Sequence, residues 1–265
     1  MCLPPPPPYP VPAQERDWPG SGSFDSADSG GECGIPTQTR FPSPTQSSHM
    51  QDQANTINRA RPPPTTPSAR SNPHPASISQ GWWSIEHGSA TIIMSNTEMQ
   101  VGPGSDQYVF FEETLKAVDR SITPWVIFLG HRPMYWVSPS AAGGYRDPMF
   151  GAFEGLLMQY KVDLVLWGHV HNAFASCPMY NSSCVTAPAP GAYDAPVHAC
   201  IGNAGQGLSG VNNATKPDWV RWQMNEWGYS SIHLWNATTL TMNLYNETVS
   251  TVQHEFVISR TFPRS

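Results

Sequence analysis

At 265 residues the chain is long enough for one large or two modest domains with a substantial core. Its 14 Lys and Arg stand against 20 Asp and Glu, and this mildly acidic balance leaves no basic face to attract nucleic acid. No apolar run is long enough to span a bilayer, so no membrane-crossing segment is expected.

Residues 1–14, "MCLPPPPPYPVPAQ", read as a Pro-rich, extended, disordered leader. They have neither a basic nor an apolar signal region, so a secretory leader is not expected in this chain. Residues 15–44 are Gly/Ser-rich but carry Trp18, Phe24, Cys33 and Phe41, a loop segment that orders only against something larger. Residues 45–80 lack apolar periodicity and repeat Pro, Ser and Asn, which predicts a disordered insertion.

From Gly81 the composition is that of a globular body covering 81–265. "WWSIEHGSATIIMS" predicts two strands around a turn at His87–Gly88. "GSDQYVFFEETLKAVDRS" predicts a helix capped by Ser105, with Tyr108, Phe111, Leu115 and Val118 facing the core. "WVIFL" predicts a buried strand ending at Gly130–His131. "DPMFGAFEGLLMQYK" predicts a second helix, and "DLVLW" a strand ending at Gly168–His169. After Pro196 the segments "HACIGNAG", "SSIHLW", "LTMNLY" and "VQHEFVIS" predict an antiparallel sheet closing the domain. The fold class is therefore α/β.

The five cysteines are too few for a disulfide scaffold. Cys177 and Cys184 enclose a short loop and make a plausible pair. Cys33 and Cys200 could pair only through the fold, and Cys2 lies in the leader. Asn181, Asn213, Asn236 and Asn246 each begin an Asn-x-Ser/Thr sequon, and chance is the alternative to secretory exposure.

Two strands thus end in Gly-His, with His171 one residue beyond His169. In open α/β sheets ligands collect outside the carboxyl ends of strands, where these histidines are expected. His-x-His on a tight turn lets two imidazoles enter one pocket, and the preceding glycine is expected to permit that turn. Imidazole is a ligand for Zn, Fe and Mn, so His131, His169 and His171 are the candidate metal ligands. Two histidines at a strand end are otherwise often hydrogen-bonded structural residues. His49, His74 and His87 sit in loop composition, while His198, His233 and His254 sit in strand patterns that suit core or surface roles.

At "ERDWPGSGS", "DSGGECGIP", "WWSIEHGSATIIMSNTE", "SDQYVFFEETLKAVDRSITPWVIFLGHRPMY", "KVDLVLWGHVHN" and "APVHACIGNAGQG" the sequence resembles the purple acid phosphatases of the binuclear metallophosphatase superfamily. The resemblance implies an αββα sandwich holding Fe(III) and a divalent Fe, Zn or Mn, in a secreted glycoprotein that hydrolyses phosphate esters at acidic pH. By that resemblance His131 and His169 are ligands of the divalent ion and His171 is the histidine ligand of the ferric ion. The two metals would act as Lewis acids on the phosphate.

The family's Asp block, its Asp-and-Tyr block and the Asn-His of its third block have no counterpart ahead of Glu15. The match is thus to the carboxyl half of such an enzyme, with the amino-terminal half of the catalytic domain missing. The family's Thr-Glu-His reads Thr97-Glu98-Met99, and Ala173-Phe174-Ala175 stands where Tyr-Glu-Arg is usual. The loop after "GHRPMY" lacks the substrate-facing His of many members. Tyr145 and Arg146 are the candidate phosphate contacts there, a solvent-facing role being the alternative. The expected function is metal-dependent hydrolysis of phosphate monoesters, with this chain holding at most one divalent ion weakly and impaired in turnover. Phosphodiesterase or nucleotide pyrophosphatase activity on the same scaffold, or a non-catalytic glycoprotein module, are the alternatives.

Overall fold

The computed structural model describes residues 82–97, 101–139, 141–146, 151–205, 207–214, 216–248 and 251–261, with 141–146, 151 and 152 described in backbone only. The leader, the 15–44 segment and the 45–80 insertion lie outside the described residues, with Cys2, Cys33, His49 and His74. The chain divides into two compact units, Met1–Ile85 and Glu86–Ser265. The boundary falls inside strand β1 (Trp83–His87), and the second unit carries every other strand and helix of the described residues.

Gly88 turns the chain with φ at +57°, a conformation open to glycine without steric cost, and β2 follows (Ala90–Met94). Helix α1 (Asp106–Ala117) begins at Ser105, whose hydroxyl accepts from the Tyr108 N–H at 3.1 Å. Next come β3 (Trp125–Gly130), the hairpin β4 (Tyr135–Ser138) and β5 (Ala141–Arg146), and helix α2 (Gly151–Gln159). Then follow β6 (Leu164–Trp167), β7 (Ala173–Tyr180), β8 (Ser183–Cys184) and β9 (Val197–Ile201). The chain closes with β10 (Val220–Met224), β11 (Gly228–Leu234), β12 (Thr239–Asn246) and β13 (Val252–Ser259).

The main sheet has eight strands in the order β1-β2-β3-β6-β9-β7-β10, with β8 on β7. β2, β3, β6 and β9 run parallel, while β7 pairs antiparallel with both β9 and β10. Register sets Gly130 beside Trp167, so the residues following them, His131 and Gly168, meet at the same carboxyl edge.

One face of this sheet packs on the helices. Phe128 of β3 lies 5.3 Å from Phe111 of α1 and 4.8 Å from Phe153 of α2, centroid to centroid, with all three rings fully buried. Truncating a ring so placed costs about 3–5 kcal/mol. On the other face Trp125 and Ile127 of β3 and Leu164 and Leu166 of β6 share a core with Leu240, Met242 and Leu244 of β12 and Ile258 of β13. The layers are helices, mixed sheet and the antiparallel sheet β11-β12-β13. β3 and β6 are buried on both faces, which is why they read as unbroken apolar runs.

Three expectations are corrected. In α1 the buried residues are Gln107, Phe111 and Leu115, while Tyr108 and Val118 are half-buried. Gln107 displaces Tyr108 because its amide accepts from the Asn96 N–H at 2.7 Å and donates to the Asn96 carbonyl at 3.0 Å. "HACI" belongs to the main sheet as β9 rather than to the closing sheet, because its residues Val197 to Cys200 pair in parallel register with β6. The turn after β1 is Gly88–Ser89, with His87 still in the strand.

The amino edge of the sheet is held by charge. Fully buried Asp163 receives Arg120 at 2.5 Å and the Val126 N–H at 2.9 Å, and Arg260 lies 3.7 Å away. Burial holds the Asp163 carboxyl above the ordinary range, while Arg120 and the Val126 N–H pull the other way. Arg260, just past β13, also binds Asp194 at 2.5 Å, so the last strand is tied to the segments before β6 and β9.

Candidate metal-binding site at the carboxyl edge of the sheet

Both Gly-His turns stand at the carboxyl edge because β3 and β6 are parallel neighbours. A Cβ on Gly130 would lie 2.4 Å from Trp167 Cζ3 and 2.8 Å from Ser95 Oγ, so only glycine lets β3 approach β6 there. The Gly168 N–H donates to the His131 carbonyl at 3.0 Å, which fastens one turn to the other. The Arg132 N–H donates to the buried Thr97 hydroxyl at 3.0 Å, so the threonine of Thr97-Glu98-Met99 supports the His131 loop.

His169, not Gly168, carries the left-handed backbone, with φ at +60°. Such a conformation in a residue with a Cβ costs of order 1–3 kcal/mol and persists only where surroundings impose it. Here they do. The Val170 N–H bonds the Gly168 carbonyl at 2.7 Å and the Asn172 N–H bonds the Val170 carbonyl at 2.8 Å. Beneath the turn Cys200, a free buried thiol, donates to the carbonyls of Val170 at 3.3 Å and Gly168 at 3.5 Å. Burial pushes that thiol up to about 12, so it remains a donor at any ordinary pH. A Cβ on Gly202 would sit 2.2 Å from the Val170 carbonyl oxygen, which makes glycine obligatory below the turn.

His169 Nδ1 and His131 Nε2 are 3.2 Å apart, with His131 exposed and His169 half-buried. That separation suits neighbouring ligands around one ion bonded at ~2.0–2.1 Å, and it equally suits a hydrogen bond in which one ring donates to the other. His171 is fixed by the segment after β9. Its Nδ1 lies 2.7 Å from the Gly207 carbonyl, its N–H donates to Ser209 Oγ at 2.9 Å, and its carbonyl accepts from the Ser209 N–H at 2.9 Å. A ring whose Nδ1–H is held by a carbonyl presents Nε2 as its ligating atom, the usual arrangement of a metal-binding histidine.

The structure therefore brings two of the three predicted ligands together. Among the described residues no group of three His, Cys, Asp or Glu could hold a metal ion. The donor set fits one weakly held ion on His131 and His169 and does not by itself fit a hard ferric ion, which calls for oxygen ligands. Tyr145 and Arg146 lie on β5, opposite Trp136 and Tyr135 of β4, and their side chains are outside the described residues. Cys177 and Cys184 are joined by a disulfide across the β7–β8 turn. Asn181 lies at that exposed turn, Asn213 and Asn236 lie on exposed loops, and Asn246 ends β12. Cys200, Gly202, Gly207 and Ser209 were not expected at the site; the Gly-rich run "IGNAGQGLSG" after β9 is the signal that points to them.

The other histidines have structural places. His198 is fully buried, its Nδ1 accepting from Trp167 Nε1–H at 3.1 Å. His254 stacks on Trp222 at 5.1 Å, and His233 is exposed on β11.

Two family models match the sequence: calcineurin-like phosphoesterase over residues 51–173, and iron/zinc purple acid phosphatase-like protein C over 195–255. A "probable inactive purple acid phosphatase 27" of Arabidopsis thaliana is 30% identical over 256 residues, covering 94% of this chain and 37% of its own length. A nucleotide pyrophosphatase/phosphodiesterase of Hordeum vulgare is 29% identical over 94% of this chain and 61% of its own. The purple acid phosphatase structure from yellow lupin (Lupinus luteus) seeds superposes with a TM-score of 0.72 at 29% identity, over 94% of this chain and 39% of that one. The chain thus spans little more than a third of the length of the first and last of these.

Proposed function

Because the chain belongs to the purple acid phosphatase family and matches the carboxyl-terminal part of its members, we propose that it supplies the divalent-ion half of a phosphate-ester hydrolase centre. The observation that carries this reading is the 3.2 Å approach of His169 Nδ1 to His131 Nε2 at adjacent parallel strand ends. These two imidazoles would hold the divalent ion, and His171 would contribute its Nε2 to the ferric ion. When bound, such ions supply Lewis-acid stabilisation of charge on the phosphate.

The chain's own contribution is positioning. Thr97 and the Gly168 N–H hold the His131 loop, Cys200 and Gly202 hold the strained His169, and Gly207 with Ser209 hold His171. These contacts set ring orientation before any ligand arrives, and a rigid constellation needs no reorganisation during reaction. Phosphate monoesters at acidic pH are the proposed substrates, with Tyr145 and Arg146 as phosphate contacts. The name of the Hordeum vulgare relative, a nucleotide pyrophosphatase/phosphodiesterase of which the chain spans 61%, favours a phosphodiester or nucleotide pyrophosphate substrate as the second reading. The Cys177–Cys184 disulfide supports an oxidising, secretory compartment.

Titration of the 265-residue chain with Co(II), followed by calorimetry and visible absorption, tests the half-site. One weakly bound ion is expected, lost in His131→Ala and in His169→Ala, together with negligible p-nitrophenyl phosphate hydrolysis after Fe(III) and Zn(II) reconstitution. Binding indifferent to both substitutions sinks the half-site. Robust turnover abolished by His171→Ala would show instead that these residues suffice for catalysis.

A further inference from the structure

The β11–β12 turn carries features that a phosphatase centre leaves unused. Trp235 is 67% exposed, the most exposed large hydrophobic side chain among the described residues. Its ring is nevertheless fixed. Trp235 Nε1–H donates to Thr241 Oγ1 at 2.9 Å, and His233 stacks against it at 5.7 Å and 21° between planes. The indole is thus held in one orientation while most of its surface stays open to water.

The next residue is Asn236, the first of the sequon Asn236-Ala237-Thr238. Its backbone is pinned from below, since the fully buried Trp125 donates its Nε1–H to the Asn236 carbonyl at 2.8 Å. Its side-chain Oδ1 accepts from both the Thr238 N–H at 2.8 Å and the Thr238 hydroxyl at 2.9 Å. Those bonds consume the carbonyl oxygen and leave Nδ2 free of any hydrogen bond among the described residues. The turn closes tightly, with the Trp235 N–H on the Thr239 carbonyl at 3.1 Å.

Asn246 shares this kind of turn, its Oδ1 accepting from the Thr248 N–H at 2.7 Å, and differs in burial and at Nδ2. It is 8% exposed and its Nδ2 donates to the Glu226 carboxylate. A sugar on that nitrogen would remove one N–H and place a bulky group where there is no room, so a chain modified there would not reach this fold. The sequons at Asn181 and Asn213 are exposed; Asn181 follows Tyr180, a 40% exposed ring that no hydrogen bond or ring contact fixes among the described residues.

We propose that Asn236 is an N-glycosylation site whose first sugar lies on the open face of Trp235, and that Asn246 stays unmodified in the folded protein. In the transfer, Asn236 Nδ2 forms a bond to C1 of the sugar of a lipid-pyrophosphate-linked oligosaccharide. The C1–O bond to pyrophosphate breaks, the lipid pyrophosphate leaves with the electron pair, and one Nδ2 proton passes to a base of the transferase. Folding then brings the C–H face of the first pyranose onto the electron-rich indole face, a contact of the kind aromatic quadrupoles favour. The Cys177–Cys184 disulfide independently suits a compartment where this donor chemistry occurs. Asn236 and Trp235 take no part in the metal site, so the outcome at this turn is independent of the hydrolase function.

The experiment expresses the full chain behind a cleavable secretory leader in a eukaryotic host and isolates folded, secreted protein. Enzymatic deglycosylation in ¹⁸O-water, followed by peptide mass spectrometry, marks each asparagine that carried sugar. Label at Asn236 and none at Asn246 supports the proposal; an unlabelled Asn236, or a labelled Asn246 in the folded fraction, overturns it. The Trp235 contact is read in the Asn181→Gln/Asn213→Gln background, where the remaining glycan is the one at issue. Deglycosylation should lower the thermal midpoint by about 2–4 °C, the shift expected of a contact of modest strength in a domain of this size. That drop should persist in Trp235→Phe, which keeps a ring face, and vanish in Trp235→Ala. An equal drop in both variants would show that the ring takes no part.

Discussion

His198 offers the sharpest test of how this core responds to acid. Its ring is completely buried between Trp167, stacked at 6.2 Å, and Tyr135, edge-to-face at 5.1 Å. Nδ1 already accepts the Trp167 indole N–H, and Nε2 has no hydrogen-bond partner among the described residues. A second proton would have to displace the Trp167 bond and charge a ring that water cannot reach. Burial therefore lowers its pKa from 6.5 to about 3. The sign follows from proton uptake: between those values the unfolded chain binds the proton and the folded chain does not. The full contribution of neutral His198 is present above the unfolded value and is lost as pH falls through the window toward the folded one. At about 1.4 kcal/mol per pH unit, acidification from pH 7.5 to 4.5 removes about 3 kcal/mol through this one group. His198→Gln keeps an acceptor for Trp167 and has nothing to titrate. Urea unfolding at the two pH values measures the effect, because carboxylates common to both proteins cancel in the comparison. The parent should lose about 3 kcal/mol more than the variant on acidification. Equal losses would mean that His198 is protonated in the fold, or that water reaches it, and burial would then not govern its titration.

Gly202→Ala should push the Val170 carbonyl away from its 2.2 Å encounter and loosen the turn that holds His169. The expected readout is at least a tenfold loss of Co(II) affinity, the order seen when residues behind metal ligands are changed; an unchanged affinity would show that the turn does not need this glycine. Replacing Cys177 and Cys184 by Ser opens a link that spans seven residues of separation, and loop-closure entropy puts the loss near 2–3 kcal/mol by chemical denaturation. A loss under ~0.5 kcal/mol would mean that the β7–β8 turn is as restricted without its crosslink.

The sheet's parallel strands and the site's place on them were legible because β3 and β6 are covered on both faces, so "WVIFL" and "LVLW" appear as uninterrupted apolar runs that stop at glycine. The reason glycine is needed at 130 and 202 was not legible. Gly130 answers to Trp167 on the neighbouring strand, and Gly202 answers to the Val170 carbonyl, neither of which is a local matter. Gln107 misled for the same reason: its partner is the backbone of Asn96, and a polar side chain satisfied in both directions can take a core position that periodicity assigns to Tyr108. β7 and β10 escaped notice because "AFASCPMY" and "VRWQM" mix small, polar and apolar residues without strict alternation. At the candidate site, residue type and position were enough to set His131 and His169 at neighbouring strand ends, whereas the support of His171 comes largely from the Gly207 carbonyl, which every residue possesses.

The charged cluster at the opposite edge of the sheet bears on time rather than on chemistry. Arg120, Asp163, Asp194 and Arg260 meet there from four separated stretches of chain. Contacts between residues so distant in sequence reward the chain only after the intervening loops have closed. The guanidinium of Arg260 should therefore find Asp163 and Asp194 after the folding barrier has been crossed, and should have to leave them before the barrier is reached from the native side. Arg260→Met would then accelerate unfolding while leaving the folding rate nearly unchanged in stopped-flow measurements, and the reverse pattern would place the cluster in the nucleus. The four residues thus act as a clasp on the finished sandwich: they set how long the histidine turns at the far edge stay in place once made.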